Sequence, residues 1–188
     1  MREERATAPD FVDEILAEWR TEIPEAADLP AELAKRVGRL ASLINAATDG
    51  AIAPYGLQKA EFGVLSSLRR VGAPYRLKPN ELARSLLMSS GGTSNALRRL
   101  ERAGLIERGA DPSDQRSTWV RLTREGVRVT EQVVRAWAAA HATFFAPLSA
   151  RTGRDAAAVL REVLVALGDA RPQAVRSPRR PRETKRAG

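Results

Sequence analysis

The chain has 188 residues, 43% hydrophobic and 29% charged, with 31 Lys and Arg against 23 Asp and Glu and a formal net charge of +8. That is an ordinary globular composition, and its basic excess suits a polyanionic partner, nucleic acid foremost. With no cysteine and one histidine, His141, it excludes disulfides, thiolate chemistry and a multi-histidine metal site within one chain.

The charge is unevenly spread. Residues 1–30 carry nine acidic groups against three basic ones, whereas residues 171–188 carry seven basic groups against one acidic. No apolar run approaches the roughly 20 residues of a membrane span. The acidic start, MREERATAPDFVDE, lacks the order of a secretory signal. A cytoplasmic protein without a membrane partner is expected.

Phe11, Ile15, Leu16 and Trp19 fall at helical spacing and predict a short amphipathic helix over 10–20. TEIPEAADLP breaks it with two prolines. Leu33, Val37, Leu40, Ile44, Ala47 and Ala51 then recur every three or four residues, the seam of a longer helix over 30–53, ended by Pro54 and Gly56. QKAEFGVLSSLRRVG predicts a third helix burying Phe62, Leu65 and Leu68. KPNELARSLL predicts a fourth, with Pro79 at its first position.

The run SSGGTSNALRRLERAGL, Ser89 to Leu105, predicts a fifth helix that opens on two glycines. On a wheel of about 100° per residue, Thr93, Leu97, Leu100 and Gly104 share one face, flanked by Ala96 and Ala103. The opposite face carries Gly91, Asn95, Arg98 and Arg102, with Ser94 and Arg99 beside it. Arg and Asn are the side chains suited to bidentate contacts with guanine and adenine edges. Glycines near a helix start let backbone N–H groups approach a phosphate. A solvated surface helix would show the same stripe, so the neighbouring elements decide.

LIERGADPSDQRSTWVRLT changes period to two and predicts a hairpin around Asp111, Pro112 and Asp114. Thr123 caps a long helix reaching Phe145, with Glu125 in its first turn. A last helix over 154–168 is apolar around most of its circumference. It requires burial that so short a chain does not provide, which implicates a second subunit. Residues 171–188 combine proline with charge and are expected to be disordered.

Helix, tight turn, second helix and charged hairpin make a winged helix-turn-helix. Ser89, Ser90, Gly91, Ser94, Asn95, Arg98 and Arg99 belong to the reading helix, KPNELARSLL is its brace, and Asp114 and Arg116 form the wing tip. Arg116 suits the minor groove, where the potential is most negative. An exposed Asp114–Arg116 ion pair is the plainer alternative.

ELARSL, SNALRRLERAGLIER and DPSDQRSTWVRLTREG together resemble the MarR family of bacterial transcription regulators, over about residues 30–170. The resemblance implies a mainly α fold with a small β-hairpin wing and a helical dimerisation region, in an obligate homodimer. It also implies binding to a pseudopalindromic double-stranded DNA operator, as a repressor released by a small ligand. The expected division is an extension over 1–28, dimerisation helices over 29–53 and 123–170, a DNA-binding lobe over 54–122 and a basic tail over 171–188. Lys78 stands where the family often has a capping Thr, which removes an acceptor but adds a cation suited to a phosphate contact.

The extension with Trp19, and the TSN in the reading helix, resemble the urate-responsive branch, in which a Trp, an Asp and two Arg hold the ligand. Trp19 and Arg108 match; the aspartate position is Gly63 and the second arginine position Ala96. An aromatic or carboxylate-bearing metabolite is therefore the expected effector class. Core packing for Trp19 and a phosphate contact for Arg108 are the alternatives. No nucleophile–base motif, phosphate loop or metal cluster is present, so neither enzyme activity nor a cofactor is expected. The competing reading is an architectural DNA-binding protein without sequence preference.

Overall fold

The computed structural model describes residues 8–86, 90–111 and 114–169. The expected disordered tail, and Ser89 in the turn, lie outside them. The fold is mainly α with a small antiparallel sheet, a winged helix-turn-helix carried on long helices.

Helix α1, Phe11–Glu22, starts at Asp10, whose carboxylate accepts from the N–H groups of Val12 and Asp13 at 2.8 and 3.0 Å. The Asp13 carboxylate returns the bond, accepting from Asp10 N–H at 2.9 Å and closing a capping box. The helix buries Val12 and Leu16. Helix α2, Leu29–Ile52, is capped by Asp28 and leads into a 3-10 turn, Ala53–Tyr55, containing Pro54. Arg36 of α2 holds α1 in place through Asp10 at 2.9 Å and Asp13 at 2.6 Å, with Glu32 of its own helix as a third carboxylate. The Arg36 hydrogen bond keeps the Asp10 carboxyl below the usual aspartate range.

Helix α3, Lys59–Arg70, precedes β1, Arg76–Leu77, and α4, Pro79–Leu86. Helix α5, Ser90–Arg102, is followed by β2, Ile106–Asp111, and β3, Asp114–Leu122. The sheet order is β1-β3-β2, with Arg76 opposite Arg121 and Glu107 opposite Arg121 on the other side. The predicted hairpin thus gains a third strand, whose two residues are too short to show a period.

The core of this lobe joins Val64, Leu65 and Leu68 of α3 to Leu82 of α4, Leu97 and Leu100 of α5, and Ile106, Val120 and Leu122 of the sheet. Helix α6, Arg124–Phe145, is clamped to it by Thr123. The Thr123 hydroxyl donates to Gly104 C=O at 2.7 Å and accepts from Gly126 N–H at 2.9 Å, while Thr123 N–H donates to Leu105 C=O at 3.1 Å. Gly126 passes so close that a Cβ there would lie 1.9 Å from the Leu105 carbonyl oxygen. Thr123 therefore does more than cap: it fixes the start of α6 to the turn after α5.

Phe145 ends the first compact unit, and α7, Ala150–Ala166, belongs to a second. Ser149 caps α7 through Thr152 N–H at 3.0 Å. None of its residues is buried, and Val159, Leu160, Val163 and Leu164 are all exposed. On α2 the predicted seam is likewise open at Leu33, Val37 and Leu40. No described helix is long and apolar enough to cross a membrane.

Candidate nucleic-acid interface

Helix α5 is oriented by what it buries. Thr93, Ala96, Leu97 and Leu100 face the core, which turns Ser94, Asn95, Arg98 and Arg102 outward. The wheel departs from the structure at Ala103 and Gly104, which are exposed in the turn beyond the helix end. The Arg98 guanidinium donates to Asn95 Oδ1 one turn earlier, and Arg102 Nε donates to Arg98 C=O at 3.3 Å. Two side chains able to address base edges are thus held side by side before any ligand arrives.

Arg99 differs. Its Nε meets the carboxylate of Glu61, a residue only 3% exposed in α3. The other oxygen of Glu61 accepts from Gln58 N–H at 2.8 Å, capping α3. Sequence reasoning missed Glu61 as a partner of the reading helix. Its spacing from Gln58 signals a helix cap, but only the packing of α3 on α5 shows that the same carboxylate lies under Arg99.

The brace helix α4 begins at Pro79 as expected. With Lys78 in place of a capping Thr, Asn80 Oδ1 accepts the Glu81 N–H at 2.8 Å, and the Glu81 carboxylate accepts the Lys78 N–H at 2.8 Å. Arg70 reaches Ser85 Oγ at 2.7 Å, and Ser85 Oγ bonds Ser67 Oγ at 3.2 Å, tying α3 to α4. Gly91 lies in the first turn of α5. The side chains of Ser90, Asp114 and Arg116 lie outside the described residues, so the wing-tip assignment stays with the sequence.

The base of the wing is well defined. Trp119 lies across Gly109, where a Cβ would sit 2.3 Å from the indole, and its Nε1–H donates to Ala110 C=O at 2.8 Å. Arg121 stacks on the Trp119 ring at 5.0 Å and donates to Glu107 on the neighbouring strand. This cross-strand stack was not read from the sequence, because its members meet only once the register is set.

The two residues matched to the ligand set have different neighbours. Trp19 is 37% exposed on α1, with Lys35 Nζ 5.9 Å from its ring. Arg108 on β2 pairs with Glu101 of α5 at 3.2 Å. At Gly63, a Cβ would lie 2.9 Å from Leu86 Cδ2, and Ala96 is 3% exposed within the lobe core. As Gly and Ala, these two positions supply neither the aspartate nor the second arginine of the urate-responsive pattern. His141 bonds Trp137 C=O through Nδ1 at 2.9 Å and Thr48 Oγ1 through Nε2 at 3.3 Å, linking α6 to α2.

The family model described as "MarR family" matches residues 55–117, from the 3-10 turn into β3. The HTH-type transcriptional regulator PecS of Dickeya dadantii is 34% identical over 123 residues, which is 65% of this chain and 74% of PecS. Wild-type MarR from E. coli in its apo form superposes with a TM-score of 0.61 at 26% identity, over 70% of this chain and 96% of that one. A cysteine-to-serine mutant of the same MarR, complexed with operator DNA, gives 0.64 over 78% of this chain and 97% of that one; at 24% identity this is a likeness of fold.

Proposed function

Since the chain belongs to the MarR family of transcriptional regulators, we propose that it is a homodimeric, sequence-specific double-stranded DNA-binding regulator acting in the cytoplasm. Helix α5 enters the major groove, Asn95 and Arg98 read base edges, and Ser94 and Lys78 hold the backbone. The wing places Arg116 along the minor groove. The observation that carries this reading is the packing of Thr93, Ala96, Leu97 and Leu100, which leaves Asn95 and Arg98 outward and already in contact.

Two chains covering the exposed apolar residues of α2 and α7 present two reading helices to a pseudopalindromic operator. Binding represses transcription, and a small aromatic or carboxylate-bearing ligand relieves it. Gly63 and Ala96 weigh against a urate-type set, which leaves Arg108 as the anion partner on the lobe.

The test is competition of a candidate operator against random DNA. Specific binding should exceed nonspecific binding by at least about 10³, and Asn95→Ala should lose about 1–3 kcal/mol on the operator only. Equal loss on both DNAs would favour the architectural reading. For the effector, a thermal-shift screen of aromatic acids followed by gel shift should find a compound that stabilises the free protein and releases the operator.

A further inference from the structure

We infer that Glu61 is a positioning residue for DNA recognition, and that Arg99 is its strut rather than a phosphate contact; this rests on the DNA-binding reading above. Glu61 is a buried carboxylate with two tasks. Oε2 accepts the Gln58 N–H at 2.8 Å and so closes the first turn of α3. Oε1 has no aligned hydrogen bond, and the contact it makes is the charge pairing with Arg99 Nε. A buried carboxylate without a cation is far costlier than an exposed arginine without an anion. Moving the Arg99 guanidinium to a phosphate would impose that cost on every binding event.

The neighbouring arginines are under no such constraint. Arg98 is bonded to Asn95, and Arg102 to a backbone carbonyl, on the exposed surface of the helix. Within one helix, then, the outward residues are available to DNA while Arg99 is committed inward. The pairing also sets orientation. Hydrophobic contacts of Leu97 and Leu100 are non-directional, whereas an ion pair from the last turn of α5 to the capped start of α3 resists rotation of α5 about its axis. With side chains about 5–6 Å from the axis, a roll of about 10° would shift Asn95 and Arg98 by about 1 Å, enough to spoil a bidentate base contact.

The experiment measures salt-dependent affinity for operator and random DNA in wild type, Glu61→Gln, Arg99→Gln and the double variant, with chemical denaturation of each. Both single variants should lower the operator-over-random ratio by about tenfold, comparable to losing one base contact. The double variant should be no worse than the worse single one, and the salt slope should stay at the wild-type value. A slope lower by about 0.9 in Arg99→Gln, the signature of one lost phosphate contact, would overturn the inference. So would an unchanged operator ratio in folded Glu61→Gln. If Glu61→Gln does not fold, the slope of Arg99→Gln decides alone. A wild-type protein without operator preference refutes the DNA-reading function itself, a distinct result.

Discussion

The lobe built from α3, α4, α5 and the sheet is poorer in apolar residues than helices α2 and α7, yet only the lobe closes on itself. In the lobe, aliphatic side chains from three helices and two strands meet in one buried cluster. Ile52, at its very end, is the one residue of α2 that is buried, and α7 buries none. An amphipathic seam is a demand for a partner, and where that partner lies depends on topology. The short connections of the lobe bring its helices back onto one another. The 24 residues of α2 run past the lobe and leave Leu33 and Val37 open.

The sharpest way to break this contrast is to damage each region and read different quantities. Leu65→Ala should cost about 2–5 kcal/mol of unfolding free energy, seen by chemical denaturation at any protein concentration. Val37→Asp should leave a folded lobe but shift the molecule toward single chains in sedimentation velocity, and reduce operator affinity through loss of the second reading helix. If Val37→Asp sediments like wild type, α2 is not part of the dimer seam.

Next in size is the attachment of α6 to the lobe. Gly126→Ala would force a methyl group into the Leu105 carbonyl, which must move, and overpacking of this kind costs about 1–3 kcal/mol. Because Thr123 and Gly126 join the turn after α5 to α6, the variant should also lower operator affinity beyond its effect on stability. Gly109→Ala should be milder. Its Cβ meets the Trp119 ring, a side chain that can turn away, so the expected result is a loosened wing with altered indole fluorescence and an intact core.

The elements with strong periods were legible in the sequence: α3, α5 and α6 are where their apolar spacing places them, although Phe62, expected to be buried, is only partly so and lies against Trp137 of α6. The outward set of α5 was legible too, because burying Leu97 and Leu100 dictates what faces away. What escaped was cross-element and therefore silent in a one-dimensional pattern. Arg99 looks like its neighbour Arg98 on a wheel, and only the packing of α3 against α5 separates them. β1 escaped because two residues carry no alternation, and the Trp119–Arg121–Glu107 stack because it spans two strands. The open face of α7 was legible as a helix apolar around most of its circumference, and that of α2 as a seam suited to a neighbouring helix.

The smallest expected effect concerns the other boundary of α2, where α1 is held by charge as well as by Val12 and Leu16. Asp10 and Asp13 meet Arg36 at 2.9 and 2.6 Å in partly exposed pairs, so each contributes little at neutral pH. Its dependence on pH nevertheless has a definite sign. The Arg36 hydrogen bond lowers the pKa of Asp10 in the folded chain, so the attached state holds that proton less well than the detached one. The contribution is therefore complete above the ordinary aspartate value of about 3.9, and fades as pH falls from there through the lowered folded value. The raised Arg36 value adds nothing to this window, since that group stays charged throughout it. Contacts between α1 and α2 followed by NMR from neutral pH down should persist to about pH 4 and fade below it, before the lobe core responds. Arg36→Ala should give shifted α1 resonances already at neutral pH, with the lobe unaffected. Core and α1 resonances moving together would show that α1 belongs to the same cooperative unit as the lobe, and the boundary between self-sufficient and partner-dependent regions would then fall within α2 rather than before it.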